Sequence, residues 1–198
     1  GDTGEATVST GTLTFTSGNW NTPQTVTVTG VNDNLVDGTI TSTITVAVND
    51  GSSDNNFDPV NDQTVSATTA DNDTAGFTIV QSGGSTSVAE TGTTDTFTVV
   101  LDAQPTSDVV ISLTSSDTGE ATVNSPLTFT PANWNSAQTV TVTGVDDNII
   151  DGTITSTITI AVDDANSDND FDGVADQTVS ATTTDNDTAG FTIVQSGG

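Results

Sequence analysis

The chain has 198 residues, 27 of them acidic, and no Lys, Arg, His or Cys, so its formal net charge is −27. The missing Lys and Arg exclude nucleic-acid and phosphate recognition by cationic side chains, and the missing Cys excludes disulfides and thiolate metal sites. No run approaches the roughly 20 apolar residues of a membrane span. Carboxylates alone remain for acid–base chemistry, with no aromatic cleft around them, so we expect no enzyme. The composition is typical of a secreted protein, extracellular or at the cell surface, where metal ions replace disulfides.

An internal repeat of 114 residues, the offset from residue 18 to residue 132, organises the chain. Residues 18–34 recur with few changes as 132–148, residues 71–84 recur unchanged as 185–198, and residues 2–8 recur as 117–123. This pattern predicts that residues 1–73 are the C-terminal part of one repeat, that residues 74–187 are a complete repeat, and that residues 188–198 are the first strand of a further repeat.

Two interpretations of the partial repeat stay open. In the first, the chain is one segment of a long tandem array of neighbouring repeats, and its start without Met reflects excision or processing. In the second, neighbouring copies exchange strands to complete residues 1–73, as in donor-strand filaments. Both follow because a partial sandwich has unpaired edges and half a core, so we do not expect it to fold alone.

Alternating Val, Ile and Thr residues predict seven strands in the complete repeat. Strand A covers 77–81 and continues at 86–89 after a Ser-Gly-Gly break, B covers 95–101, C 108–114, D 126–130, E 138–143, F 154–162 and G 177–183. Regular spacing and Gly, Asn, Asp and Pro turns predict an all-β chain of tandem immunoglobulin-like antiparallel β-sandwiches. The inward-facing positions predict a core of Phe97, Val99, Leu101, Val109, Ile111, Leu113, Leu127, Phe129, Val140, Val142, Ile158 and Ile160.

Acidic residues are predicted to meet at one tip of this sandwich. Consecutive strands alternate in direction, so strands A, C, E and G end at the same tip. Clustered carboxylates without basic partners repel one another, and oxygen-only ligands select a hard cation, with Ca²⁺ favoured. The alternative is that these acids are solvated loop charges. The candidate ligands are Glu90, Asp117, Glu120, Asp146, Asp147, Asp151, Asp185 and Asp187, with Asp33, Asp37, Asp71 and Asp73 in the first repeat.

The connection between strands F and G, at the other tip, contains a second candidate metal loop. Its acids stand at relative positions 1, 3, 5 and 9 with Gly at 6, like the start of an EF-hand loop, but Val179 occupies position 12, where Glu is required. Pro59 replaces the Gly in the first repeat. The alternative is an acidic turn whose Phe171, or Phe57 in the first repeat, plugs the base of the core. The candidate ligands here are Asp168, Asp170, Asp172 and Asp176.

In order along the chain, these segments resemble the Calx-beta repeat. The resemblance is carried by Val88-Ala-Glu90-Thr-Gly92, Leu127-Thr-Phe129-Thr, the run 139–147 and Asp185-Asn-Asp187, and it is strongest to the variants in large bacterial extracellular, adhesin-like surface proteins. It implies an immunoglobulin-like sandwich with Ca²⁺ at the first tip, held by Glu90, Asp146, Asp147, Asp151, Asp185 and Asp187, with Asp117 or Glu120 open.

The sequence departs from that family pattern at three places in the complete repeat, and in the first repeat Asn32 replaces the Asp that stands at 146. Asp151 stands where Glu is common, Ile154 where a further acid is common, and Asn186 where an Asp is common. Fewer anionic ligands imply fewer ions or weaker binding.

Two functional hypotheses follow. The first is a structural repeat of a secreted fibre, stalk or sheath, which is stiffened by Ca²⁺ at sandwich tips and inter-repeat junctions and has neighbouring repeats as its partners. The second is an extender or ligand-binding module of a bacterial adhesin, which a distinctive loop insertion would favour. The near-identical repeats favour the first.

Overall fold

A computed structural model describes residues 2–197 and separates the chain into two compact units, Gly1–Asp73 and Thr74–Gly198. We call these the first and the second unit. Among the described residues, no helix is long and apolar enough to cross a membrane.

The secondary structure consists of short strands and single 3₁₀ turns. The first unit contains β1 (Ala6–Val8), β2 (Val28–Gly30), β3 (Ile40–Val46) and β4 (Gln63–Thr69), with a 3₁₀ turn at Asp50–Ser52. The second contains β5 (Phe77–Gln81), β6 (Thr86–Ala89), β7 (Thr94–Leu101), β8 (Val109–Ser115), β9 (Ala121–Val123), β10 (Leu127–Phe129), β11 (Gln138–Gly144), β12 (Ile154–Val162) and β13 (Gln177–Thr184), with 3₁₀ turns at Ser82–Gly84, Asp164–Asn166 and Asn169–Phe171.

The second unit is a sandwich of two sheets. One sheet has the strand order β10-β8-β12-β13-β6, and the other has the order β5-β7-β11-β9. All pairs are antiparallel except β13 and β6, which run parallel. The all-β, immunoglobulin-like sandwich predicted from the sequence is confirmed.

Strand A is divided between the two sheets. Its first half, β5, pairs with β7, and its second half, β6, pairs with β13 in the opposite sheet. The crossing occurs at Gly83 and Gly84, whose φ angles are +63° and +84°. These are left-handed conformations that residues with a Cβ adopt only with strain, which explains the Ser-Gly-Gly break.

The predicted core is confirmed, because all twelve residues chosen from the alternation are buried. The seven strands predicted in the complete repeat lie within one residue of their predicted bounds, with one addition, but residues 188–197, within the predicted first strand of a further repeat, form no strand. Residues 121–123, expected in the loop between strands C and D, form β9 at the edge of the four-stranded sheet, where they pair with β11. Outward-facing Thr139 and Thr157 are exposed, as the pleat requires.

The first unit consists of two separate strand pairs, β1 with β2 and β3 with β4. Among its described residues only Glu5 and Ser42 are buried, and no hydrophobic residue is. Phe171 of the second unit is fully buried, as the plug interpretation requires, but its repeat Phe57 is 58% exposed, so that interpretation is wrong for Phe57.

Candidate metal centre

Four separate segments bring acidic side chains to one end of the second unit, which we call the acidic end. Glu90 follows β6, Glu120 precedes β9, Asp147 and Asp151 lie between β11 and β12, and Asp187 follows β13. Acids that are up to 97 positions apart in sequence (Glu90 and Asp187) therefore meet because of the strand order.

Two groups of three carboxylates converge there. Glu90, Asp147 and Asp187 form one group, and Glu90, Glu120 and Asp151 form the other. Within each group, one oxygen from each residue lies within 4.8 Å of the others. Glu90 belongs to both groups, so it would be a ligand to a cation held by either one.

Glu90 and Glu120 are buried, with 1% and 5% of their surface exposed. Glu90 Oε2 accepts a hydrogen bond from the backbone N–H of Asn186 at 3.1 Å. Glu90 Oε1, Glu120 Oε2 and Asp187 Oδ2 are buried and accept none. A buried ionised oxygen without a donor is strongly unfavourable, and this chain has no basic side chain to supply one. A cation bound by these oxygens would remove that cost, so the donor set fits a metal ion.

The local electrostatics agree with this assignment. Burial, and then the charges of Asp151 and Glu90, raise the pKa of Glu120 above its ordinary value. The hydrogen bond from Asn186 lowers the pKa of Glu90, but burial and the charges of Asp185 and Asp147 outweigh it, so this pKa is also raised. Without a counter-ion, the folded protein therefore disfavours ionisation at the positions where the carboxylates converge.

Asp185 organises the loop instead of joining either group. Its Oδ2 accepts hydrogen bonds from the backbone N–H groups of Asp151 and Gly152, and its Oδ1 accepts one from Asp187. The bonds from Gly152 and Asp187, in that order, are the main reason that the pKa of Asp185 is lowered. Asp185 thereby joins the loop after β11 to the segment after β13.

Two other predicted ligands lie outside both groups. Asp146 Oδ1 accepts a hydrogen bond from Asn186 Nδ2 at 2.8 Å, and Asp117 Oδ1 accepts one from the backbone N–H of Gly119 at 3.0 Å. Both residues are exposed; the Asp117 bond lies within a turn, and the Asp146 bond joins the loop after β11 to the segment after β13. Of the eight acids predicted at this tip, the structure brings five into the converging groups.

The first unit repeats part of this arrangement. Glu5, Asp33 and Asp37 converge within 4.8 Å, and Asp71 Oδ2 accepts hydrogen bonds from the N–H groups of Asp37 and Gly38, as Asp185 does in the second unit. Asp71 and Asp73 stay outside the group; the N–H of Asp73 donates to Asp71 Oδ1.

Glu5 was missed by the sequence reasoning, although the signal for it was present. Residues 2–8 recur as 117–123, so Glu5 is the repeat of Glu120. Burial, and then the charges of Asp37 and Asp33, raise the pKa of Glu5.

The loop at the opposite tip has a different arrangement. Asp168 is buried, and its Oδ2 accepts hydrogen bonds from Thr106 N, Thr106 Oγ1 and Ser107 N at 2.7–2.8 Å. Burial raises the pKa of Asp168, but these bonds outweigh it and the pKa is lowered. Among the described residues, Asp168 joins no converging group of acids, and neither do the exposed Asp170, Asp172 and Asp176.

No protein-family model matches the sequence, and no curated protein matches it. Among solved structures, the apo form of the Calx CBD1 domain is similar at 14% identity and a TM-score of 0.40, over 56% of this chain and 98% of that one. Domains 4 and 5 of the S-layer protein SbsC are similar at 20% identity and a TM-score of 0.39, over 80% of this chain and 62% of that one. SSP-19, an MSP-domain-like protein of Caenorhabditis elegans, is similar at 17% identity and a TM-score of 0.33, over 51% and 92%. These likenesses concern the fold alone.

Proposed function

We propose that this protein is a calcium-binding structural repeat of a secreted fibre, stalk or sheath. The observation that carries the proposal is the pair of buried glutamates, Glu90 and Glu120, in one converging group. Each keeps a buried carboxylate oxygen without a hydrogen-bond donor, in a chain that has no basic residue.

The donor set favours Ca²⁺ over other cations. It consists only of oxygens, which excludes the Cys and His ligands that select zinc and copper. Ca²⁺ accepts six to eight oxygens in flexible geometry, whereas Mg²⁺ requires a small, near-octahedral site and loses its water reluctantly. Ligands from four separate segments suit the ion with the looser requirement. The side chains that would hold it are Glu90, Glu120, Asp147, Asp151 and Asp187.

The structural role follows from the repeat. Near-identical units in tandem are typical of arrays in which each unit contacts its neighbours, so further repeats are the proposed partners. Only residues 70–76 separate β4 from β5, and they include Asp71 and Asp73. Ca²⁺ bound by the first unit would stiffen the start of this short linker. A secreted or cell-surface location supplies the calcium that such an array needs.

The calcium proposal is tested by thermal unfolding of the full chain after metal is removed with EGTA, then with Ca²⁺ or Mg²⁺ added back. Ca²⁺ at 100 times its Kd should raise the free energy of unfolding by about 2.7 kcal/mol, which is about 10 °C in Tm for a domain of this size. Mg²⁺ should have a much smaller effect. Equal Tm values in EGTA and in Ca²⁺ would refute calcium binding.

Substitution of single acidic residues tests whether Ca²⁺ binds at the acidic end. Glu90→Gln and Glu120→Gln each remove one anionic ligand and keep the side-chain size, so each should lower Ca²⁺ affinity in isothermal titration calorimetry. Asp108→Asn is the matched control, because Asp108 is exposed and lies outside both carboxylate groups. Equal losses in all three variants would mean that calcium responds to net charge alone.

The fibre proposal needs its own measurement. Small-angle X-ray scattering on a chain of several repeats should show a longer, stiffer particle in Ca²⁺ than in EGTA. If the length and stiffness are unchanged although calorimetry shows binding, the calcium site stands and the stiffening role fails.

A further inference from the structure

Apolar side chains of the first unit are exposed at positions whose repeats in the second unit are buried. Each pair is separated by the same offset, so sequence and strand position correspond. The exposed and buried values are 53% for Phe15 against 0% for Phe129, 54% for Val65 against 2% for Val179, and 58% for Phe57 against 0% for Phe171.

The second unit shows what covers these positions. There β7 pairs with β11, β8 lies between β10 and β12, and β6 pairs with β13. Strands β6, β7 and β8, together with β5, lie in residues 74–115, which we call the opening half. Within residues 2–73 of the first unit, β2 pairs only with β1 and β3 only with β4. The edges of β2, β3 and β4 that would receive an opening half therefore have no strand partner among the described residues.

A glycine provides an independent sign of the same missing neighbour. A Cβ on Gly144, at the end of β11, would overlap the carbonyl oxygen of Ala89 in the opening half. Its repeat is Gly30, at the end of β2, and there the nearest atom to such a Cβ is Thr69 Cγ2, at an ordinary 3.5 Å. Nothing near Gly30 in the first unit requires a glycine, but a docked opening half would.

The acidic turns before β13 and β4, which are repeats of each other, give a third indication that the first unit lacks an opening half. Asp168 is buried, and Thr106 and Ser107 of the opening half donate hydrogen bonds to it. Its repeat, Asp54, is exposed, and among the residues that the structure describes its side chain accepts hydrogen bonds only from Asn56 of its own turn, at 2.9 and 2.8 Å. The Asp54 carboxylate can therefore still accept the donors of an opening half.

We propose that the exposed face of the first unit is the docking site for an opening half, a four-stranded segment with the pattern of residues 74–115, supplied by a further repeat of the same kind. A second copy of this chain cannot supply the opening half without exposing the core of its own second unit. In each copy of residues 1–198 the second unit already packs against its own opening half, so donation to a first unit would leave that second unit open. The donor is therefore an opening half that is not already packed in a unit of its own. The docked segment would pair with β2, β3 and β4 and bury Phe15, Val65 and Phe57. This proposal does not depend on calcium.

The test fuses residues 74–115 directly before residue 1 of the full chain, because Gly1 is the repeat of Ser116 and the fusion restores the repeat register. Hydrogen exchange of β2, β3 and β4 is then compared with that of β11, β12 and β13 in the same molecule. We expect the fusion to slow the exchange of β2, β3 and β4 to the rates of their repeats. A fusion that carries a scrambled segment of the same composition should leave the hydrogen exchange of β2, β3 and β4 as fast as in the unfused chain.

Gly30→Ala is the specific variant. In the unfused chain it should leave the exchange of the first unit unchanged, since its Cβ has room. In the fusion it should restore fast exchange, because the new Cβ would overlap the docked backbone. The proposal is overturned if the true and scrambled fusions protect β2, β3 and β4 equally, or if neither does. Protection that rises with the concentration of the unfused chain would also overturn it, in favour of a second copy.

Discussion

Glu120 illustrates how the surroundings of a single residue determine the charge balance of the acidic end. It is buried against Asp151, Glu90, Asp147 and Asp117, all of the same charge. In most proteins such a carboxylate would be paired with Lys or Arg, and neither exists here. Burial and these charges therefore disfavour the ionised carboxylate, and the metal ion that we propose would compete with a proton for this position.

This competition predicts a pH dependence with a definite sign. The raised pKa values of Glu90, Glu120 and Asp187 mean that the folded metal-free state holds protons that the unfolded state releases. Their stabilising contribution is complete below the ordinary pKa, 4.5 for the two Glu residues and 3.8 for Asp187, and is lost as pH rises through the raised values. The lowered pKa values of Asp185 and Asp168 act oppositely, because their contribution is lost as pH falls below 3.8.

Metal-free protein, prepared on a chelating resin, should therefore become less stable as pH rises from mildly acidic to neutral, whereas its Ca²⁺ affinity should rise over the same range. Thermal unfolding and calorimetric titration at a series of pH values measure both trends. Glu120→Gln should flatten the first trend. A metal-free protein whose stability rises steadily toward neutral pH would contradict the assignment of these buried groups.

At the scale of single elements, the acidic turn after β12 separates a structural role from metal binding. Asp168→Asn keeps one of the two acceptor oxygens, so N–H donors of Thr106, Ser107 or Asp170 lose a partner. We expect destabilisation by about 1–3 kcal/mol in urea unfolding, with Ca²⁺ affinity at the acidic end unchanged. Asp176→Asn, at an exposed position in the same loop, should change neither quantity. A loss of bound calcium in both variants would instead support the EF-hand-like interpretation.

The contact between β11 and β6 gives a second prediction at this scale. Gly144→Ala places a Cβ on the Ala89 carbonyl, so one strand must move. Overpacking of this kind costs about 1–3 kcal/mol, which chemical denaturation measures. Gly173→Ala is the matched control, because a Cβ there meets no atom within 4 Å. Similar losses in both variants would mean that the close approach of β6 is unimportant.

The elements also show what the sequence could predict. Alternation of Val, Ile and Thr placed the strands and the core, because the strand period is independent of the rest of the fold. It did not predict that strand A divides between two sheets, because β5 and β6 have the same pattern whichever sheet they join. It also missed β9, since three residues in a polar loop carry too little periodicity.

The convergence of Glu90, Glu120 and Asp151 followed from strand direction, but the assignment of Asp185 and Asp168 as hydrogen-bond acceptors depends on backbone positions that no pattern reveals.

At the scale of the whole molecule, the charge of −27 has a long-range and a short-range part. The long-range part is screened by salt, since the Debye length falls from about 10 Å at 0.1 M to about 3 Å at 1 M. The short-range part lies in groups whose oxygens are within 4.8 Å of one another and partly out of water. A Na⁺ ion between those oxygens would neutralise one charge, whereas a bound divalent ion would neutralise two at the same distances.

We therefore expect 1 M NaCl to raise the Tm of the metal-free chain by much less than millimolar Ca²⁺ does. Differential scanning calorimetry in the two solutions makes the comparison. Tetramethylammonium chloride at the same ionic strength is the control for specific sodium binding. If salt and calcium gave equal stabilisation, the effect would be general screening and no localised site would be needed.

The central claim is that the buried oxygens of Glu90 and Glu120 hold a divalent cation, and crystallography with anomalous scattering tests it most directly. Crystals grown in Ca²⁺ should show an anomalous peak within the group formed by Glu90, Glu120 and Asp151, with carboxylate oxygens about 2.3–2.6 Å from it. Carboxylates turned apart into water at saturating Ca²⁺, with no anomalous peak between them, would contradict the account.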